Sequence, residues 1–160
     1  MELSVKYRDM EVKFSGDRDE VIRSFFDFLS KIFPAFELMS SLTLTIDLED
    51  LLKRAAEFMV FTPEGSVLKV PKEQLREREA IIAHLVKTYI GYRTGKLVKD
   101  SLSIADILTL TGGKPGTVAA RLSEMADLGW VERVGRGEYR VTTLGVKSFI
   151  DEILPEIKSR

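Results

Sequence analysis

Three arginines, Arg133, Arg136 and Arg140, stand within eight residues around the stretch Gly135-Arg136-Gly137. A guanidinium group is permanently charged and presents its N–H donors as a planar fork, so a cluster of them suits phosphate or carboxylate oxygens. The flanking segments alternate in polarity, Trp130-Val131-Glu132-Arg133-Val134 before the turn and Glu138-Tyr139-Arg140-Val141 after it. That period of two predicts a two-stranded ribbon, with Gly135 and Gly137 permitting a tight tip and close backbone approach. A ribbon tip has little hydrophobic reason to carry three arginines. Lying in the minor groove of duplex DNA it would have an electrostatic one, because narrow grooves concentrate negative potential. The alternative is a charge-protected edge, with Glu132 and Glu138 pairing with the arginines across the strands. Arg136 at the tip has no obvious acidic cross-strand partner in that arrangement.

The segments ahead of the ribbon read as helices. Residues 72 to 92 start charged ("KEQLRERE") and turn apolar at Ile81, Ile82, Leu85, Val86 and Tyr89, and "GYRTGKLVKD" follows as a basic loop. "SLSIADILTLTGG" predicts a short helix capped by Ser103 with Asp106 three residues on, carrying Ile104, Ile107 and Leu108 inward and stopping at Gly112-Gly113. "KPGTVAARLSEMADLG" offers Pro115 in a first turn and Val118, Leu122, Met125 and Leu128 as one apolar stripe. After the ribbon, "TTLGVKSFIDEILPEI" closes as a helix with Val146, Phe149, Ile150, Ile153 and Ile157 along a seam.

Helix, short helix, glycine turn, helix, ribbon, helix is the order of a winged helix-turn-helix domain. The wording "LSIADILTLTGGKPGTVAARLSEMADLGWVERVGRGEYRVTTLG" resembles archaeal and bacterial winged-helix regulators of the MarR and ArsR type: capped helix, turn, "T-V-x-x-x-L-x-x-L-x-x-x-G", arginine-bearing wing and terminal "T-x-x-G". The resemblance covers residues 72 to 157; residues 1 to 71 resemble no family. It implies that the helix of residues 114 to 128 enters a major groove with the face opposite its buried stripe toward the bases. The candidate DNA-contacting residues are Lys114, Thr117, Ala120, Arg121 and Glu124 on that helix, with Arg133, Arg136 and Arg140 on the wing. Lys114 lies beside a helix N-terminus that favours phosphate, Arg121 suits a bidentate contact to guanine, and Thr117 could reach a base edge or phosphate. The bland reading of the same side chains is a solvated helix face.

The N-terminal part follows other rules. "LSVKYRDMEVKF" alternates at Leu3, Val5 and Tyr7 and then, shifted by one, at Met10, Val12 and Phe14, which predicts a hairpin with a two-residue loop at Arg8-Asp9. A helix follows from Asp17 or Asp19, ending or kinking at Pro34, and another starts near Asp47 with Leu48, Leu51, Leu52, Ala55 and Met59 on one face. "TPEGSVLKVP", with two prolines and a glycine, breaks the pattern and marks the expected domain boundary: a hairpin and helical region at 1–71 and the winged domain at 72–160. The expected fold class is α+β, mostly helical. Residues 1 to 71 hold 9 Lys and Arg against 13 Asp and Glu, and residues 72 to 160 hold 15 against 12. Opposite signs on the two parts hint that the C-terminal part meets a polyanion.

Composition bounds the rest. The 160 residues include no Cys, which excludes disulfides, thiolate metal sites and Cys nucleophiles. Absence of Asn, a single Gln (Gln74) and 31% charged residues predict a thermophilic, archaeal source. No apolar run reaches the length of a membrane span and no signal-peptide pattern opens the chain, so a cytoplasmic protein without membrane contact is expected. "GYRTGK" and "TGGKPGT" lack the spacing of a phosphate loop, and His84, the sole histidine, has no catalytic partner and reads as surface or core filler. The carboxylates of "DRDE" and "DLED" sit at helix starts, where capping explains them, and Trp130 reads as core. No enzyme, metal or cofactor is expected. The function implied is a DNA-binding transcriptional regulator on double-stranded DNA, a homodimer through residues 1 to 71 and the last helix. The other reading is a winged-helix adaptor that holds a protein partner, through residues 1 to 71, in a multi-subunit assembly without sequence-specific DNA binding.

Overall fold

The computed structural model describes residues 1–7, 9–32, 42 and 44–160. It divides into two compact units, Met1–Leu44 and Thr45–Arg160. The class is α+β, mostly helical, with small antiparallel sheets.

In the first unit, β1 (Glu2–Tyr7) and β2 (Met10–Ser15) pair antiparallel in the register the alternation predicts, with Leu3 opposite Phe14, Val5 opposite Val12 and Tyr7 opposite Met10. Arg8, at the expected turn, lies outside the described residues. Helix α1 (Arg18–Ile32) starts at Asp17, whose Oδ1 accepts the Glu20 N–H at 2.9 Å. The Phe14 ring meets Phe25 and Phe28 edge-on, at centroid distances of 6.0 and 5.6 Å. The expected stop at Pro34 lies outside the described residues.

The second unit begins earlier than expected. Helix α2 (Leu48–Ala55) is capped by Asp47, whose Oδ1 accepts the Asp50 N–H at 3.1 Å. It stops before Met59, which instead opens β3 (Met59–Thr62), paired with β4 (Gly65–Leu68). The prolines and glycine that suggested a linker serve this hairpin and the strand's exit. Leu51, Ala55, Phe58 and Met59 share one core with Val146, Phe149, Ile150 and Ile153. Phe58 and Phe149 stack edge to face at 4.9 Å. The division therefore falls at residue 44 and not at 71, because the apolar face of α2 is buried in the same core as the C-terminal helices.

A single 3₁₀ turn (Lys72–Gln74) precedes α3 (Glu77–Arg93), later than the expected start at 72, because Leu75 and Arg76 are extended. The Glu79 carboxylate reaches back to accept the Arg76 N–H at 2.9 Å. Three elements follow: β5 (Ser101–Ser103), α4 (Ile104–Thr111) and α5 (Pro115–Asp127). Strands β6 (Val131–Gly135) and β7 (Glu138–Val141) then form a three-stranded sheet with β5, in the order β5-β7-β6. The Ser103–Asp106 capping box starts α4 as expected, and left-handed Gly112 ends it.

The C-terminal helix has three parts: α6 (Thr143–Ser148), a π-helical turn (Phe149–Ile153) and α7 (Leu154–Lys158). Pro155 explains the wide turn, since its ring crowds the carbonyl four residues back and supplies no N–H. The Leu154 N–H bonds the Phe149 carbonyl instead, and Arg54 Nη1 donates to the Ile150 carbonyl at 3.3 Å. Gly145 is required by packing: a Cβ there would collide with the Trp130 carbonyl. Trp130, expected in the core, is only half-buried, with the Arg78 guanidinium 5.4 Å from its ring centroid. Among the described residues no helix is long and apolar enough to cross a membrane.

Phe149 is fully buried at the junction of α2 and the C-terminal helices. Phe149→Ala should cost about 3 to 5 kcal/mol in denaturant unfolding, the usual range for an aromatic core truncation. His84 offers a second check. Burial first, then the charges of Lys87 and Lys72, push its imidazole down to about 4 from the ordinary 6.5. The neutral ring's contribution is complete above pH 6.5 and is lost as pH falls toward 4, at up to about 1.4 kcal/mol per pH unit. His84→Gln should flatten that limb in melts compared at pH 7 and pH 5.

Candidate nucleic-acid interface

The β6–β7 ribbon carries the arginine cluster. Its register runs Val131 opposite Val141, Glu132 opposite Arg140 and Arg133 opposite Tyr139, then jumps to Gly135 opposite Glu138. Val134 is the extra residue of this bulge, a device that bends a strand and re-aims its side chains. Left-handed Gly137 (φ +69°) closes the turn. Its carbonyl accepts the Ile104 N–H at 2.9 Å, tying the tip to the start of α4.

The four cations in and beside the sheet fall into two groups. Arg140 Nε bonds Glu132 Oε1 at 2.5 Å, and Arg140 Nη1 lies 3.6 Å from Asp100 Oδ2. The Glu132 bond, more than any other contact, holds the Arg140 guanidinium above its already high range. Lys99 Nζ and Ser101 Oγ bond the two Glu138 oxygens at 2.8 and 2.9 Å, lowering the Glu138 carboxyl and raising the Lys99 ammonium. Arg133 and Arg136 differ. Both are exposed; Arg133 folds back to the Gly135 carbonyl at 3.1 Å, and among the described residues neither has a carboxylate partner.

Helix α5 buries Val118, Leu122 and Met125, as expected. Lys114 sits at its N-cap with an exposed side chain that caps nothing, and no carboxylate pairs with it among the described residues. Thr117 is half-buried, and Ala120 and Glu124 are exposed. Arg121 lies on the flank of the buried stripe, with one guanidinium nitrogen 2.7 Å from each Glu124 oxygen. Those bonds raise it, with Glu77 adding to the field. The outermost face is lined by Gly116, Ala119, Ala120, Ser123 and Asp127, all exposed.

The arrangement thus brings Arg133 and Arg136 together at a ribbon tip and leaves Lys114 unengaged, while Arg121 and Arg140 are neutralised within the chain. Sequence reasoning missed Lys99, Asp100 and Ser101, which pair with Glu138 and Arg140 across the sheet. "KDSLS" alternates, but three strand residues are too few to separate from a loop. No protein-family model, curated protein or solved structure matches the chain.

The two groups of arginines should differ in stability. Arg133→Ala and Arg136→Ala should leave unfolding free energy within about 0.5 kcal/mol, as exposed substitutions do. Arg140→Ala should cost up to about 1 kcal/mol through the lost cross-strand pair, and a double-mutant cycle with Glu132→Ala should recover that coupling.

Proposed function

We propose that residues 72 to 160, within the unit Thr45–Arg160, carry a winged helix-turn-helix that binds duplex DNA as a transcriptional regulator, with α5 in the major groove and the β6–β7 ribbon as the wing on the minor groove. The observation that carries this reading is the set of cations left unneutralised: Arg133 and Arg136 at the ribbon tip and Lys114 at the start of α5. The element order supports it, with β5 as the third strand behind the ribbon. The small residues on the outer face of α5 would let its backbone approach the groove floor, where alanine suits a thymine methyl. Glu124 and Asp127 near the C-terminal end would repel phosphates, so the N-terminal half, with Lys114 and Thr117, is the part that enters. Arg121 would first have to leave Glu124 to read a guanine.

Two-fold assembly, which a palindromic operator demands, rests in this proposal on surfaces other than the C-terminal seam, whose Phe149, Ile150 and Ile153 are buried within the chain. The adaptor reading draws on a different observation, the pairing of Arg121 with Glu124 and of Arg140 with Glu132.

Salt-dependent affinity for a random-sequence duplex, read by fluorescence anisotropy, separates the two. Arg136→Ala should lower the slope of log K against log salt by about one ion-equivalent, because each neutralised phosphate releases close to one counterion. Glu132→Gln should strengthen binding by removing a repelling charge and freeing Arg140. If the wild-type chain shows no duplex affinity at low salt, or Arg136→Ala leaves the slope unchanged, the adaptor reading replaces the regulator.

A further inference from the structure

His84 Nδ1 is the one buried side-chain nitrogen or oxygen without a hydrogen-bond partner among the described residues. Its ring lines a cleft of about 300 Å³ where β4, the following chain, α3 and α4 meet. The walls include Leu68, Val70, Leu75 and Leu110, Lys72 joins His84 as the polar lining, and no carboxylate lines it. Lys72 extends over Gly112, where a Cβ would meet its ammonium. One turn along α3, Lys87 is buried and its Nζ donates to the Ser66 carbonyl at 3.1 Å. Neither lysine has a carboxylate partner among the described residues.

The proton placement follows from the orphaned atom. A proton on Nδ1 would be a buried donor with no acceptor, which proteins tolerate less well than an unmet lone pair. The neutral ring therefore carries its proton on Nε2. A mostly apolar cleft with one N–H donor, one ammonium group and no acid matches an apolar body with an anionic, acceptor-only head.

We propose that this cleft is a binding site for a small apolar monocarboxylate, with the hydrocarbon against Leu68, Val70, Leu75 and Leu110 and the carboxylate between Lys72 Nζ and His84 Nε2. The site is independent of the DNA-binding reading and stands whether or not that reading holds.

His84 is the sole histidine, so the imidazole of the labelled full chain gives a single set of ring signals in NMR. Titration with octanoate should move those signals saturably, with a dissociation constant of about a millimolar or tighter. Octanamide, matched in chain but uncharged, should bind at least about tenfold more weakly. Lys72 is exposed, so Lys72→Met should leave the melting temperature unchanged, weaken octanoate about tenfold and spare octanamide. Octanoate that leaves the imidazole signals unmoved overturns the proposal. So does octanamide binding as well as octanoate to the wild-type chain, a comparison that needs no variant.

Discussion

Everything in the second unit depends on burying α3 around nearly its whole circumference. Ile81, Ile82, Leu85, Val86 and Ile90 are wholly inaccessible, and Ala80 and Ala83 nearly so. Its exposed residues, Arg78, Tyr92 and Arg93, lie near its ends, so the polar residues buried along it must find partners inside. Glu79 takes the Arg160 guanidinium and the Arg76 N–H; Thr88 donates to the His84 carbonyl; Lys87 donates to Ser66. Glu79 ends with its carboxyl lowered although burial, the largest single influence, raises it, because the hydrogen bonds and charges of Arg160 and Arg76 together outweigh desolvation there. His84 is the exception, and its unmet nitrogen stands out because its neighbours are met. The elements that enclose α3, including α2 and the C-terminal helices, are consequences of the same requirement.

The charge pattern of the ribbon follows a different economy. A three-stranded antiparallel sheet with an exposed face needs its charges paired across strands, and Lys99, Asp100, Glu132, Glu138 and Arg140 do this among themselves. The bulge at Val134 interrupts the ladder just before the tip. Beyond it lies Arg136, and just before it Arg133, the two arginines with no cross-strand acid. One backbone irregularity thus ends the pairing and leaves positive charge at the end of the ribbon and not along it.

Most of this local structure is legible in the residues. The Ser103–Asp106 box, Pro115, the stripe of Val118, Leu122 and Met125, and the hairpin register of Leu3 with Phe14 all sit where short-range rules place them. What the sequence obscures is long-range. Pro63, Gly65 and Pro71 read as a linker because nothing local distinguishes a domain break from a tight hairpin whose partner, through Phe58, lies at Phe149. The seam of Phe149, Ile150 and Ile153 suggests an association surface until α2 is seen to cover it. The Arg121–Glu124 pair was readable, being three residues apart on a helix, but an arginine opposite a groove and an arginine beside an acid look alike in sequence.

Helix α4 joins the two surfaces. Its first N–H binds the Gly137 carbonyl at the ribbon turn, its Leu110 lines the His84 cleft, and Lys72 lies over Gly112 at its end. Eight residues make a rod of about 12 Å, with no glycine or proline inside to bend it. The capping box fixes one end and the left-handed glycine the other. The cleft and the arginine-bearing tip therefore sit at opposite ends of one helix.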